Sequence, residues 1–173
     1  LLEPIGLPVR AAGHQHRVPL GQPGAQRVDE GAQRAFFAVV RAHRALAKQG
    51  FGLLIHDAYR PWSVTKMFWD ATPPALRNFV ADPATGSRHN RGCAVDLTLC
   101  DLATGKAVDM VSGFDEFTAR AWPDYPGGTS VQRWHRMLLR HALEAQGFTV
   151  YDEEWWHFDY RDWRSYPVLN EKL

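Results

Sequence analysis

Apolar positions along the chain change their period several times, and each change marks the edge of an element. From Asp29 onward, Ala32, Phe36, Val39-Val40, His43 and Leu46-Ala47 recur at intervals of three and four until Gly50 stops the run. That spacing predicts a helix of about five turns with one face on the core. Residues 51–57, Phe-Gly-Leu-Leu-Ile-His-Asp, are a short apolar run that ends before Tyr59-Arg60-Pro61, and they predict a buried strand. Proline holds the residue before it extended, so Arg60 should project from the strand's end. Pro61 then opens a helix to Asp70 with Val64, Met67 and Phe68 turned inward. Thr72 to Gly86 carries three prolines and no period, which predicts a loop leading to Ser87 and His89.

Cys93 to Leu99 alternates and predicts a strand, Asp101 to Lys106 a hairpin turn, and Ala107 to Met110 its partner strand. Phe114 to Trp122 suits a short helix and Pro123 to Gly128 a loop. Thr129 or Ser130 caps a long helix whose apolar stripe is Val131, Trp134, Leu138, Ala142 and Ala145, closed by Gly147. Strands at Phe148–Tyr151 and Trp156–Tyr160 complete a sheet. The opening to Gln26 is rich in proline and glycine and reads as an extended arm, with the boundary placed at residue 28 and the folded domain over 29–173. The expected class is α+β: a single domain, an antiparallel sheet with helices packed on one side.

Composition narrows this picture. With 173 residues, 45% of them hydrophobic, the chain can bury a full core in one domain. Twenty basic residues against 19 acidic ones leave a net charge of +1, which argues against a nucleic-acid surface, and no apolar run reaches membrane-spanning length. Cys93 and Cys100 lie on one expected strand and point to opposite faces, so both should be free thiols. A cytoplasmic location is favoured; a periplasmic or secreted one stays open should a signal peptide have been removed ahead of Leu1. The composition leaves the oligomeric state open.

Candidate chemistry concentrates in Ser87-Arg88-His89-Asn90-Arg91-Gly92-Cys93-Ala94-Val95-Asp96. His89 and Asp96 are metal-ligand types, yet a straight strand would hold them about 23 Å apart and a helix about 10 Å. Neither reaches one ion at about 2.0–2.2 Å, so the chain must fold back near Gly92, which is free to take positive φ. A third ligand should come from Glu153-Glu154-Trp155-Trp156-His157, where Glu154 stands three residues before an imidazole. Two histidines and a carboxylate leave one position open for water, and a spare glutamate suits metal-assisted hydrolysis. His14-Gln15-His16 reads as a solvated arm, His43 as a helix residue, and His135 and His141 as surface residues on different helix faces.

The pattern Ser-x-His-x-x-Gly-x-Ala-x-Asp, followed far downstream by Glu-x-Trp-His, resembles the D-alanyl-D-alanine dipeptidases of the VanX type. These are zinc peptidases related in fold to the D-Ala-D-Ala carboxypeptidases and the hedgehog domain. Asp57-Ala58-Tyr59-Arg60-Pro61 and Met110-Val111-Ser112-Gly113-Phe114-Asp115 extend the likeness, so it runs from about residue 28 to 160 in the family's order. The resemblance implies one zinc ion held by His89, Asp96 and His157, with Glu154 as general base and Arg60 stabilising the tetrahedral intermediate. It also implies Asp115 as the carboxylate that holds the substrate's free amino group, Ser87 as a substrate contact, and a small dipeptide such as D-Ala-D-Ala as substrate. Three other readings stand beside it: a D,D-carboxypeptidase acting on peptidoglycan stem peptides, a catalytically silent zinc-binding module, and a two-histidine, one-carboxylate iron oxygenase. A silent module would need neither Glu154 nor Arg60.

Overall fold

The structure, a computed structural model, describes residues 23–171. Its elements follow in the order α1 (Pro23–Ala47), β1 (Phe51–Asp57), α2 (Trp62–Ala71), β2 (Ala94–Asp101), α3 (Ser130–Glu144), β3 (Phe148–Tyr151) and β4 (Glu154–Tyr160). Short 3-10 turns occur at Pro74–Phe79, His89–Arg91, Ala119–Ala121 and Trp163–Ser165. The four strands make one antiparallel sheet in the order β1-β2-β4-β3. Helices α1 and α3 pack on each other and on the sheet face that carries Leu53, Val95, Leu97, Leu99 and Phe158. This is the α+β class that the apolar pattern predicts.

Several local expectations give way to packing. Helix α1 starts at Pro23, inside the stretch expected to be arm; residues 1–22, with His14 and His16, lie outside the described residues. Its buried stripe is Ala35, Ala38, Ala42 and Leu46, while Phe36 is 57% exposed. Small side chains let the helix lie close to the sheet, so the alanines face inward and the larger rings are left outside. In α2 it is Thr65 that is buried, whereas Met67 and Phe68 are exposed, because the Thr65 hydroxyl binds a buried amide described below. The α3 stripe is turned by about one position, to Arg136, Leu139 and Leu143. Arg136 goes inward because its guanidinium collects the carbonyls of Trp122 and Tyr125, and Trp134 rests half exposed against Phe51. Thr129 is the cap, in a reciprocal pair with Gln132.

The partner strand expected at Ala107–Met110 reduces to a single bridge between Cys100 and Ala107. The helix expected over Phe114–Trp122 shrinks to the turn at Ala119–Ala121, because Asp115 takes φ 55 and the Glu116 carboxylate binds the Gly113 N–H, which holds the segment as a loop. Cys93 and Cys100 are free, as expected.

Two register breaks shape the other face of the sheet. Ile55 pairs with Leu97 but Asp57 pairs with Asp96, so His56 is an extra residue that turns Asp57 to the side of Asp96. Val150 pairs with Phe158 but Tyr151 pairs with Glu154, a break that lets Glu154 and His157 meet although they are three residues apart. Gly92 supplies the reversal required between His89 and Asp96. It is left-handed at φ 65, its N–H binds the His89 carbonyl at 3.1 Å, and an added Cβ would stand 2.9 Å from that of Ala32 on α1. Gly92→Ala should therefore lower stability by about 1–2 kcal/mol from backbone strain alone, and more from the clash. Urea unfolding measures this, and an unchanged midpoint would show that the turn does not need glycine.

Candidate metal centre and active-site cleft

Asp96 and His157 stand directly opposite each other on the central strands β2 and β4, and the turn before Gly92 swings His89 onto them. The three side chains are buried, and one ligand atom from each lies within 4.8 Å of the others. His157 Nδ1 is 2.9 Å from Asp96 Oδ1 and 3.2 Å from His89 Nε2. The outer ring nitrogens are both engaged. His89 Nδ1 donates to the Ala58 carbonyl at 2.7 Å, and His157 Nε2 donates to Asp159 at 3.0 Å. Those bonds fix each tautomer so that the inner nitrogens present lone pairs. Two lone pairs and a carboxylate then face one another at a buried site, an arrangement that a cation satisfies. The donor set fits a divalent metal.

The electrostatics agree. Burial on its own would push the His157 imidazolium towards neutrality, but Asp159 and Asp96 raise its pKa to about 9. Burial likewise disfavours the Asp96 anion, yet His157 and His89 hold it well below the usual carboxylate range.

The other expected residues surround this centre. One cleft of about 360 Å³ is lined by His89, Asp96 and His157 and also by Glu154, Arg60, Ser87 and Asp115. Glu154 Oε2 is 3.9 Å from His157 Nδ1; burial raises its pKa, His157 and His89 oppose that, and Asp96 and Asp115 add to it. Arg60 gives its Nε–H to Asp57 at 2.9 Å and lays its guanidinium over the Phe68 ring, 5.2 Å from the centroid. Ser87 Oγ accepts the His89 N–H at 3.2 Å, so it braces the metal turn as well as facing the cleft. Asp115 stands exposed at the cleft wall; partial burial and the charge of Asp96 raise its pKa, against the pull of Arg60 and His56. Its loop rests on His56, the extra residue of β1, through a stacked ring of Phe114 at 4.3 Å.

Four supporting residues were not read from the sequence. Asp57 holds Arg60, and the Ala58 carbonyl orients His89. Asp159 holds His157 and is gripped in turn by Arg88 at 2.6 Å, with the Arg88 guanidinium over the rings of Tyr151 and Trp163. Only Asp159 left a usable signal, since a residue two beyond a strand histidine shares its face.

A family model described as D-Ala-D-Ala dipeptidase, peptidase M15, matches residues 24–170. The chain belongs to that family. It is 36% identical to the D-alanyl-D-alanine dipeptidase of Escherichia coli (strain K12) over 139 residues, covering 80% of this chain and 70% of the relative. The dipeptidase of Enterococcus faecium is 34% identical over 148 residues, covering 75% and 72%, and that of Enterococcus faecalis 33% over 156 residues, covering 79% and 75%. Among solved structures, the LdcB LD-carboxypeptidase aligns with TM-score 0.51 and 18% identity over 77% of this chain and 61% of that one, a likeness of fold. This M15 chain is thus a peptidase of a metal-dependent family. Among the described residues no helix is long and apolar enough to cross a membrane.

A proton on His157 would compete with a metal ion for its inner nitrogen, and the raised pKa of this imidazole sets where that competition ends. Uptake near neutral pH should release about one proton, and affinity should rise as pH climbs towards 9. Titration calorimetry in buffers of different ionisation enthalpy checks this. The same raised pKa stabilises the metal-free fold fully below the unfolded value of 6.5, and that contribution is lost as pH rises through about 9. Saturating metal should flatten this pH dependence, and His157→Ala should hold well under one metal per chain; full occupancy in that variant would remove His157 from the ligand set.

Proposed function

We propose that this chain is a zinc D,D-dipeptidase that hydrolyses the peptide bond of D-Ala-D-Ala or a similarly small dipeptide. The observation that carries the reading is the shared cleft: three ligand-type side chains, a glutamate outside that cluster, a clamped arginine and a further carboxylate converge on one space of about 360 Å³. The dipeptidase activity for which the relatives are named supports the substrate class. Two imidazoles and one carboxylate, with one position left open, favour zinc. When bound, the ion supplies Lewis acidity, which polarises the scissile carbonyl and makes water acidic enough to react near neutral pH.

The chain's residues do the rest. Glu154, with its raised pKa, takes the proton from the attacking water and passes it to the leaving amine. Arg60 has five N–H donors, of which Asp57 occupies one edge, so the others are available for the oxygen that gains charge in the transition state. Asp57 and Phe68 hold that fork in place before substrate arrives. Asp115 offers its anion to the free ammonium, and Ser87 has a hydroxyl hydrogen to offer the substrate. An anion placed for an ammonium disfavours stem peptides whose amine is acylated, which separates this reading from a D,D-carboxypeptidase. A silent zinc module would leave Glu154 and Arg60 without a task, and an iron oxygenase would leave Glu154 idle; metal analysis after expression separates zinc from iron.

Glu154→Ala and Arg60→Ala should each keep one zinc per chain. Loss of the base should lower turnover by at least about 10²–10⁴-fold. Loss of the arginine should lower kcat by about 10²–10³-fold with a smaller change in KM. A large rise in KM with kcat intact would instead place Arg60 on the ground-state substrate.

The amine gives the sharpest test. D-Ala-D-Ala should be cleaved far better than N-acetyl-D-Ala-D-Ala or L-Ala-L-Ala, and Asp115→Ala should narrow the gap between the free and acetylated forms. Comparing kcat/KM for both substrates on both proteins isolates the contact as a double-mutant cycle. Equal discrimination with and without Asp115 would move amine recognition elsewhere.

A further inference from the structure

Asn90 is 0% exposed and has no part in the chemistry proposed above, yet its amide is bonded on every side. Its Nδ2 donates to the Arg60 carbonyl at 2.7 Å and to Thr65 Oγ1 at 2.8 Å, and its Oδ1 accepts the Ser87 N–H at 2.7 Å. A backbone donor on one end and a backbone acceptor on the other allow one orientation of the amide. The neighbouring His89 carbonyl accepts the Arg60 N–H at 3.2 Å. Both backbone polar groups of Arg60 therefore end on residues 89 and 90, the turn that carries a metal-ligand candidate. On its far side the Asn90 carbonyl accepts the Leu169 N–H, and the Leu169 carbonyl accepts the Trp62 N–H, both at 2.9 Å.

A buried amide with three bonds is costly to remove, because each partner is then left without its bond. An apolar residue would fill the same space without tying the three segments together. What the amide fixes is the distance from the arginine's backbone to the metal turn; Asp57 and Phe68 then fix the side chain beyond it.

We infer that Asn90 is a positioning residue for catalysis, setting Arg60 against the metal ligands through the Arg60 carbonyl. The inference rests on the proposed role of Arg60. Misplacement of a catalytic group by about 1 Å can cost on the order of 10²-fold in rate, so the amide's loss should act on turnover more than on binding.

The test uses Asn90→Ala and Asn90→Asp, the second keeping the shape and the acceptor for Ser87 while removing both donors. Each should hold one zinc per chain, with kcat on D-Ala-D-Ala lower by about 10–100-fold and KM within about threefold. In an Arg60→Ala background, Asn90→Ala should change kcat by less than about threefold, since the residue acts through Arg60. Amide exchange followed by NMR gives a readout free of activity: the Arg60 N–H, protected by its bond to His89, should exchange faster in both variants. The same loss of kcat in the Arg60→Ala background, or an unchanged Arg60 exchange rate, would overturn the inference, as would loss of zinc together with activity. Should Asn90→Ala not fold, Asn90→Asp carries the same readings. Failure of the parent protein to cleave D-Ala-D-Ala would sink the proposed function alone, and amide exchange would still decide whether Asn90 holds Arg60.

Discussion

The molecule is organised around a confrontation of electron pairs. Asp96 and His157 are cross-strand partners at the centre of the sheet, His89 is turned onto them, and their outer nitrogens are committed elsewhere. Among the described residues the three inner atoms converge within 4.8 Å of one another, where a cation between them satisfies all three. Such a cluster is held together by the fold in the absence of a cation and gives free energy back when one binds, so ion uptake and folding are linked. The helices on the opposite face supply the apolar burial that lets the sheet hold this arrangement.

Much of this was legible in the sequence. His89, Asp96 and Gly92 could be related by distance alone, because neither a strand nor a helix brings the two ligands together. The glycine does so in the left-handed conformation. The sheet, three helices and the capping of α3 followed from period and turn chemistry. Legibility failed wherever polar atoms overrode apolar counting. Arg136 and Thr65 are buried because of carbonyls and an amide that only the folded chain brings near, and they rotate their helices away from the face that Trp134 or Phe68 would choose. The α1 stripe of alanines was hidden behind Phe36 for the opposite reason, since close approach rewards a small side chain.

The way the cleft brings its residues together was less legible, for a related cause. Asp57 and Arg60 are three apart, as are Glu154 and His157, a spacing that a regular strand sends to opposite faces. Neither pair keeps to a regular strand: the chain leaves β1 at Asp57 before it reaches Arg60, and the surplus residues of β4 lie between Glu154 and Phe158. Alternation read along the chain therefore separates the residues that the cleft unites, and the Ala58 carbonyl carries no side-chain signal at all.

Those two breaks have a consequence beyond catalysis. Strands β1 and β3 are the outer strands of the sheet, and each is disturbed next to the cleft, β1 by its extra residue and β3 where its ladder to β4 slips. An outer strand with an even row of free amides and carbonyls invites a second chain to add to it, and a bulge bends that row out of line. The extra residue that turns Asp57 to the side of Asp96 thus also blunts the β1 margin of the sheet against strand addition.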